Sequence, residues 1–208
     1  MIKDRQSITS DEIKRCSWCG SDPLYIAYHD TEWGVPKIDD IDFFEKISLE
    51  GAQAGLSWIT ILKKREGYRE VFLDFDPQAI VESGLDHFLQ HMDNPRIIRN
   101  RRKIESVYTN ALAFIEIQKE FGSFAKYWWQ WSDFKIIELT PETLEDIPTQ
   151  TELSLKISKD LKRRGFKFVG PTIIYSMMQA TGMVNDHIST CMFRNHGITI
   201  DPTLFEEL

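Results

Sequence analysis

The chain has 208 residues, of which 42% are hydrophobic and 27% are charged, values ordinary for a globular protein with a substantial core. It contains no run of about 18 apolar residues and its N-terminus lacks the apolar segment of a signal peptide, so we expect no membrane span and a cytoplasmic location. The net charge of −7 argues against non-specific nucleic-acid binding over the whole surface.

Apolar residues recur at helical spacing through most of the chain, whereas the alternation typical of strands is scarce. This pattern predicts an all-α fold. The predicted helices are 39–54, 58–72, 100–121, 123–131, 152–164 and 171–181. The segment 134–139 is the best candidate for a strand. Residues 1–14 and 194–208 are predicted to be extensions outside the core.

Glu50 is the only ionisable residue between Lys46 and Lys63. A carboxylate in such an apolar stretch is costly to bury unless a partner compensates its charge. Gly55 and Trp58 follow it closely. Two interpretations are open: a pocket wall that presents one negative charge to a ligand, or a carboxylate at a helix end that points into water.

The segment 161–172 predicts a helix, a tight hairpin and a second helix. Gly165 fits the left-handed position after a helix end, and Pro171 fits the first turn after Gly170. Amide groups at such a helix N-terminus favour phosphate. Basic residues surround the hairpin: Lys162, Arg163, Arg164 and Lys167. A plain helical corner with basic side chains is the alternative.

Four residues form a candidate metal site: Cys16, His29, His187 and Cys191. The spacing of His187 and Cys191 places both on one face if they lie on a helix, and Cys16 and His29 would complete a closed structural zinc site. Cys16 and Cys19 form a second possible pair. Buried thiols without metal remain an alternative. The odd number of cysteines indicates a reducing compartment.

These residues belong to longer motifs that occur in a fixed order along the chain. The motifs are Cys16-x-Trp18, Asp22-Pro-Leu-Tyr25-Ile-Ala-Tyr28-His29, Leu49-Glu-Gly-Ala-Gln-Ala-Gly-Leu-Ser-Trp58, Arg164-Gly-Phe-Lys-Phe-Val-Gly170 and Val184-Asn-Asp-His187-x₃-Cys191. Taken together, the chain resembles the DNA-3-methyladenine glycosylase I family over about residues 14–193.

The resemblance implies a helix-hairpin-helix glycosylase fold with two helical lobes in one domain, 15–193, and a zinc-stabilised lobe that joins the N- and C-terminal segments. It implies hydrolysis of the N-glycosidic bond of 3-methyladenine in double-stranded DNA, release of the free base and action as a monomer. Glu50 would be catalytic. The implied base-binding residues are Tyr25, Tyr28, Trp58 and Trp18. The implied DNA-binding residues are Gly55, Leu56, Arg164, Gly165, Lys167 and Gly170. The implied zinc ligands are Cys16, His29, His187 and Cys191, with Cys19 as a spectator.

The chemistry of the substrate agrees with these residue types. Methylation at N3 makes adenine cationic, so the base is already a good leaving group. An aromatic ring facing a desolvated cation contributes about 0.5–2 kcal/mol, and a carboxylate adds a charge-assisted hydrogen bond. Neutral adenine would leave Glu50 uncompensated, which selects against the undamaged base.

Three other classes of protein are compatible with parts of the pattern. A non-catalytic, zinc-containing DNA-binding module would use the hairpin but would not need Glu50. A zinc hydrolase would need an open coordination position, which four protein ligands do not leave. In a purely structural interaction protein, Tyr25, Tyr28 and Trp58 would be core residues only.

Overall fold

The computed structural model describes residues 13–194, 200–201 and 203 of the chain, so most of the predicted terminal extensions lie outside the described residues. The described part is mostly helical, as predicted, and none of its helices is long and apolar enough to cross a membrane. Its α-helices are α1 Pro23–Thr31, α2 Asp40–Gln53, α3 Trp58–Leu62, α4 Arg65–Val71, α5 Pro77–Ser83, α6 Leu85–Leu89, α7 Arg101–Phe121, α8 Phe124–Trp129, α9 Glu152–Arg163 and α10 Pro171–Ala180.

Side-chain caps start the long helices where the sequence predicts them. The Asp39 carboxylate accepts a hydrogen bond from the Asp42 amide at 3.0 Å, and the Asn100 side chain accepts one from the Lys103 amide at 3.2 Å. Thr151 forms a capping box at the start of α9. Each cap satisfies an amide that has no partner within its helix, so the observed boundaries lie close to the predicted ones.

The predicted helix 58–72 is wrong as one continuous element, because the chain breaks it into α3 and α4 at Lys63 and Lys64. Tertiary packing accounts for the direction of α4. A Cβ added at Gly67 would lie 2.5 Å from the Arg96 carbonyl oxygen, so this turn of α4 packs directly on the backbone of another segment. Apolar periodicity does not report such a close approach.

The prediction omitted α1, α5 and α6. Helices α1 and α5 both begin with an Asp-Pro pair, whose aspartate caps the first turn. Asp22 accepts from the Leu24 amide at 3.0 Å, and Asp76 accepts from the Gln78 amide at 2.9 Å. Proline at the first helical position is a recognised start signal, so these two helices were readable from the sequence.

The candidate strand 134–139 is only partly extended. Its two-residue strand β1, Ile137–Glu138, pairs in parallel with β2, Val184–Asn185, in the register Ile137 to Val184. The Ile137 amide donates to the Met183 carbonyl at 2.8 Å. This short pairing holds the segment that carries His187 and Cys191 against the helices.

Helix α2 runs through the interior, and its residues are buried from Phe43 to Ala52. Phe44 packs edge-on against Phe114 of α7, which stacks on Phe124 of α8 with ring centroids 4.3 Å apart. Burying these large rings supplies much of the hydrophobic stabilisation. Because α2 is held on all sides, the polar residues at its C-terminal end are carried into the protein.

Gly182 lies where α10 turns into β2, and its backbone is in the left-handed region with φ +73°. A Cβ here would lie 2.5 Å from the Pro36 nitrogen and 2.8 Å from the Gly34 oxygen. Gly182→Ala is therefore expected to lower the free energy of unfolding by roughly 2–4 kcal/mol, from overpacking and backbone strain together. Thermal unfolding measures the loss.

Gly84→Ala is the matched control for this prediction. Gly84 has a similar φ of +75°, but an added Cβ would meet nothing within 4 Å. The control carries the backbone strain without the clash. An equal loss of stability in both variants would contradict the packing explanation for Gly182.

Candidate functional site

A cavity of about 370 Å³ opens beside the C-terminal end of α2. The structure brings all five predicted pocket residues to its wall: Glu50, Tyr25, Tyr28, Trp58 and Trp18. They come from α1, α2, α3 and the 3₁₀ turn Ser17–Cys19. Residues far apart in sequence thus form one continuous wall of aromatic rings around a single carboxylate.

Glu50 is 3% exposed and has no hydrogen bond or ion pair with the described residues. Burial raises the pKa of its carboxyl group to about 7, although the nearby ammonium of Lys46 acts in the opposite direction. The alternative of a carboxylate that points into water is therefore wrong. A carboxyl group in this environment suits a ligand that carries a positive charge or a hydrogen-bond donor.

The ammonium group of Lys46 lies behind the aromatic wall and is only 2% exposed. Its Nζ lies 4.8 Å from the Tyr28 ring centroid and 4.9 Å from that of Trp58, and it donates to Glu32 at 3.1 Å. It also donates to the Tyr28 hydroxyl at 3.3 Å. These contacts fix both rings. Burial raises the pKa of Tyr28 well above its usual value, so its hydroxyl stays neutral.

Helix α10 forms the facing wall of the cavity with four polar side chains at the spacing i, i+3, i+4 and i+7: Thr172, Tyr175, Ser176 and Gln179. None of the four was predicted from the sequence. The opposite side of the helix is buried and apolar, with Ile174, Met177 and Met178. This polar stripe along an otherwise apolar helix is the signal that could have indicated them.

A smaller cavity of about 160 Å³ adjoins Glu50 and is lined by Gly55 and Leu56. Leu56 is 41% exposed, and Gly55 has a φ of +77°. The buried Lys103 Nζ donates to the carbonyl oxygens of Ala52 and Ala54, at 2.7 and 2.8 Å. The loop that presents Leu56 is thus anchored from inside by a lysine of α7.

The connection between α9 and α10 is a tight turn, as predicted. Gly165 has a φ of +103°, and Gly170 caps α10 directly before Pro171. The buried Asn110 side chain holds the turn by donating to the Lys167 carbonyl at 3.2 Å and accepting from its amide at 2.8 Å. The backbone of the turn is therefore held in place by a side chain of α7.

The basic residues of this turn have different environments. The Arg164 guanidinium pairs with Glu120 and Asp160, at 2.6 and 2.7 Å, and it faces the rings of Phe121 and Tyr127. Lys167 is exposed and has no ion pair with the described residues. Arg164 thus holds the turn in place, whereas Lys167 is available to solvent.

The four candidate metal ligands meet in one buried cluster, with their ligand atoms all within 4.8 Å of one another. The His187 Nδ1 lies 3.5 Å from the Cys16 Sγ and 3.3 Å from the Cys191 Sγ, and the His29 Nε2 lies 3.6 Å from the Cys191 Sγ. Zinc–sulfur and zinc–nitrogen bonds at a tetrahedral angle place such atoms about 3.5 Å apart. The cluster can therefore hold a metal ion.

Two details of the predicted metal site are settled by the geometry. The Cys19 thiol donates to the Cys16 carbonyl at 3.2 Å and lies outside the cluster, so the alternative pairing of these two thiols is not formed. His187 and Cys191 do not lie on a helix, which was the condition for their sharing a face; they flank the turn at 189–190 in the irregular segment after β2. Parallel pairing of β2 with β1 keeps this segment extended up to the turn.

The cluster of candidate metal ligands and the aromatic cavity share a wall. The Trp18 ring lies 5.2 Å from that of His29, centroid to centroid, and the Trp33 ring lies 4.6 Å from that of His187. Both tryptophans also line the cavity. The Asp30 carboxylate orients His29 through its Nδ1 at 2.7 Å, as carboxylates do for histidine ligands.

The cavity, with its carboxylate and its aromatic wall, has the shape and charge that suit a flat ring system with a positive or hydrogen-bond-donating edge. Comparison with known proteins agrees. The family described as "Methyladenine glycosylase" matches residues 18–195. DNA-3-methyladenine glycosylase 1 of Escherichia coli (strain K12) is 48% identical over 179 residues, which cover 86% of this chain and 96% of the relative.

Solved structures show the same fold. A crystal structure of 3-methyladenine DNA glycosylase I matches with a TM-score of 0.83 and 50% identity, covering 86% of this chain and 98% of the other. The Staphylococcus aureus enzyme, described for its recognition of 3-methyladenine, matches with a TM-score of 0.84 at 36% identity over 86% of this chain and 96% of its own. The chain belongs to the methyladenine glycosylase family.

Proposed function

We propose that this protein removes 3-methyladenine from double-stranded alkylated DNA by hydrolysing the N-glycosidic bond, which leaves an abasic site. The observation that carries the proposal is the Glu50 carboxylate, which is buried at the wall of an aromatic cavity and has no hydrogen bond or ion pair with the described residues. A cationic purine supplies what this site lacks: a flat surface for the rings and a positive edge for the carboxylate.

The reaction begins when the damaged nucleotide turns out of the helix, at a cost of a few kcal/mol that is smaller for damaged pairs. Tyr28 and Trp58 face the base, and the ionised Glu50 stabilises its positive edge. The N-glycosidic electron pair then moves onto the base, which leaves as neutral 3-methyladenine, while a water oxygen bonds to the sugar carbon and its proton is released to solvent. Tyr25 and Trp18 complete the wall of the pocket.

Leu56 is suited to fill the space that the flipped base leaves in the DNA. It is exposed beside Glu50, and the Lys103 ammonium anchors its loop. Apolar side chains that enter a base stack in this way stabilise a distorted duplex. The absence of a side chain at Gly55 lets the DNA backbone approach the loop closely.

We propose that α9, the turn and α10 act as a helix-hairpin-helix element that grips the DNA backbone. The turn residues Gly165 and Gly170, together with the N-terminus of α10, favour a phosphate group there, and Lys167 adds a positive charge. Because the Arg164 guanidinium is already paired with Glu120 and Asp160, we assign Arg164 to holding the turn in position at the DNA.

We also propose that the cluster of Cys16, His29, His187 and Cys191 holds a structural zinc ion. The support is its donor set and spacing, which match a closed tetrahedral site with no position for substrate. The ion would join the N- and C-terminal segments of one domain, 15–193. Action as a cytoplasmic monomer is the simplest arrangement for this function.

The test is incubation of the protein with methylated duplex DNA, followed by identification of the released bases. We expect 3-methyladenine and an equal number of abasic sites. Salt-sensitive DNA binding without release of any base would overturn the proposal in favour of a non-catalytic, zinc-containing binding module.

Lys167→Ala is expected to weaken binding to duplex DNA several-fold at low salt, because one phosphate contact is lost. The slope of log affinity against log salt should fall by about 0.9. Fluorescence anisotropy across a salt series measures both quantities. Lys135→Ala is the control, since this exposed lysine lies outside the turn and outside the cavity wall. Equal losses in both variants would contradict the placement of DNA at the turn.

A further inference from the structure

Gln179 is the last of the four polar residues that α10 presents to the cavity. Its amide Nε2 donates to the Asp186 Oδ2 at 2.9 Å. The Tyr175 hydroxyl donates to the same carboxylate oxygen. Asp186 is only 1% exposed, and its second oxygen, Oδ1, is buried without a hydrogen-bond partner among the described residues.

This arrangement fixes which way round the Gln179 amide lies. The Asp186 Oδ2 accepts both of these hydrogen bonds, so the nitrogen of the Gln179 amide faces Asp186 and its oxygen faces away. The Gln179 Oε1 has no hydrogen-bond partner in the described part of the chain, and it is not among the buried polar atoms that lack one. It therefore remains accessible as an acceptor on a residue that lines the cavity.

The two walls of the cavity therefore offer two different kinds of hydrogen-bond acceptor. Glu50 supplies a carboxylate from α2, and Gln179 supplies an amide oxygen from α10. A purine with an amino group at C6 offers two N–H donors, whereas a purine with an oxo group at C6 offers another acceptor. If a 6-oxo group faced the Gln179 amide oxygen in a desolvated site, two acceptors would meet and neither would have a hydrogen-bond donor.

We propose that Gln179 is a specificity-determining residue that selects 6-amino purines over 6-oxo purines, with Asp186 as the residue that sets the orientation of its amide. The inference deepens the proposed function and rests on it, since it concerns the base that enters the same cavity. It assigns the choice between methylated adenine and methylated guanine to α10, whereas Glu50 responds to the positive charge.

The primary test is titration of free 3-methyladenine and 3-methylguanine into the full-length protein, followed by the fluorescence of the cavity tryptophans. The parent is expected to bind 3-methyladenine more tightly, and Gln179→Ala should reduce the ratio of the two affinities by about 10-fold or more. Gln53→Ala is the matched control. Gln53 lines the same cavity, but its amide has no hydrogen bond to described residues that would fix its orientation. This variant should leave the ratio unchanged.

Asp186→Asn tests the orienting role. An asparagine can donate as well as accept, so the Gln179 amide is free to turn and the affinity ratio should again fall. Because Asp186 precedes His187, metal content is measured in this variant alongside binding. If it does not fold, Gln179→Ala alone decides the question.

An unchanged ratio in Gln179→Ala, or a parent that binds neither base, would overturn the inference. The same variants are then assayed for release of the two bases from methylated DNA. A parent that discriminates between the free bases through Gln179 but releases neither from DNA would overturn the proposed excision activity alone.

Discussion

Glu50→Gln is expected to reduce excision of 3-methyladenine by about 100-fold or more while it makes the folded protein more stable at pH 8. The loss of activity follows because a neutral amide no longer stabilises the positive edge of the base, and removing such an electrostatic group typically has this effect. The gain in stability follows because the parent buries a carboxylate without a partner among the described residues. Base release and thermal unfolding measure the two effects.

The pH dependence of this gain has a definite sign. Burial raises the pKa of Glu50 from 4.5 to about 7, so folding favours the protonated form. The favourable contribution is fully present below pH 4.5 and is lost as the pH rises through 7. At about 1.4 kcal/mol per unit, the difference between the variant and the parent should reach roughly 3 kcal/mol above pH 7 and nearly vanish at pH 4.

Glu45→Gln is the matched control on the same helix. Glu45 is also buried, but its carboxylate pairs with Arg65 and Arg69. Removing its charge leaves these guanidinium groups without that partner, so this variant should be less stable than the parent at pH 8. Activity rising through pH 7 in the parent is a further expectation. A folded Glu50→Gln variant that excises at the parental rate would contradict the assignment.

Cys191→Ser is expected to lose bound metal and to lower the free energy of unfolding by about 5 kcal/mol or more, which corresponds to roughly 10–20 °C in Tm. The reason is that Cys191 is one of four buried donors, with its Sγ 3.3 Å from His187 and 3.6 Å from His29. Without metal, the variant is left with one thiol, one hydroxyl and two imidazoles around a space whose size suits an ion. Elemental analysis of the purified parent should find about one zinc per chain.

Excision should weaken together with metal binding, because Trp18 and Trp33 line the cavity and also pack on the two histidines. Cys19→Ser is the control. Its thiol is buried close by but lies outside the four-residue cluster, so this variant should keep its metal and most of its stability. Full metal content and parental Tm in Cys191→Ser would contradict the structural role.

Local signals in the sequence sufficed for the helices whose stability is decided nearby. Asp39, Asn100 and Thr151 cap helices that the apolar periodicity already indicated. The Asp-Pro pairs at 22–23 and 76–77 are equally clear helix starts, although α1 and α5 were not predicted from them. The break between α3 and α4 was not readable, because the backbone of Arg96 that packs on Gly67 comes from a distant part of the chain.

The candidate site divides in the same way. The residue types by themselves marked Glu50 as a candidate site residue and four cysteines and histidines as a candidate metal site, each with an alternative left open, and the family resemblance added the aromatic residues. Only the tertiary structure decided that Glu50 is buried with no hydrogen bond to any described residue, that Arg164 is paired with two acids, and that Gln179 faces the same cavity. These properties depend on which groups from distant segments become neighbours, because charge compensation, desolvation and hydrogen-bond direction all depend on three-dimensional proximity.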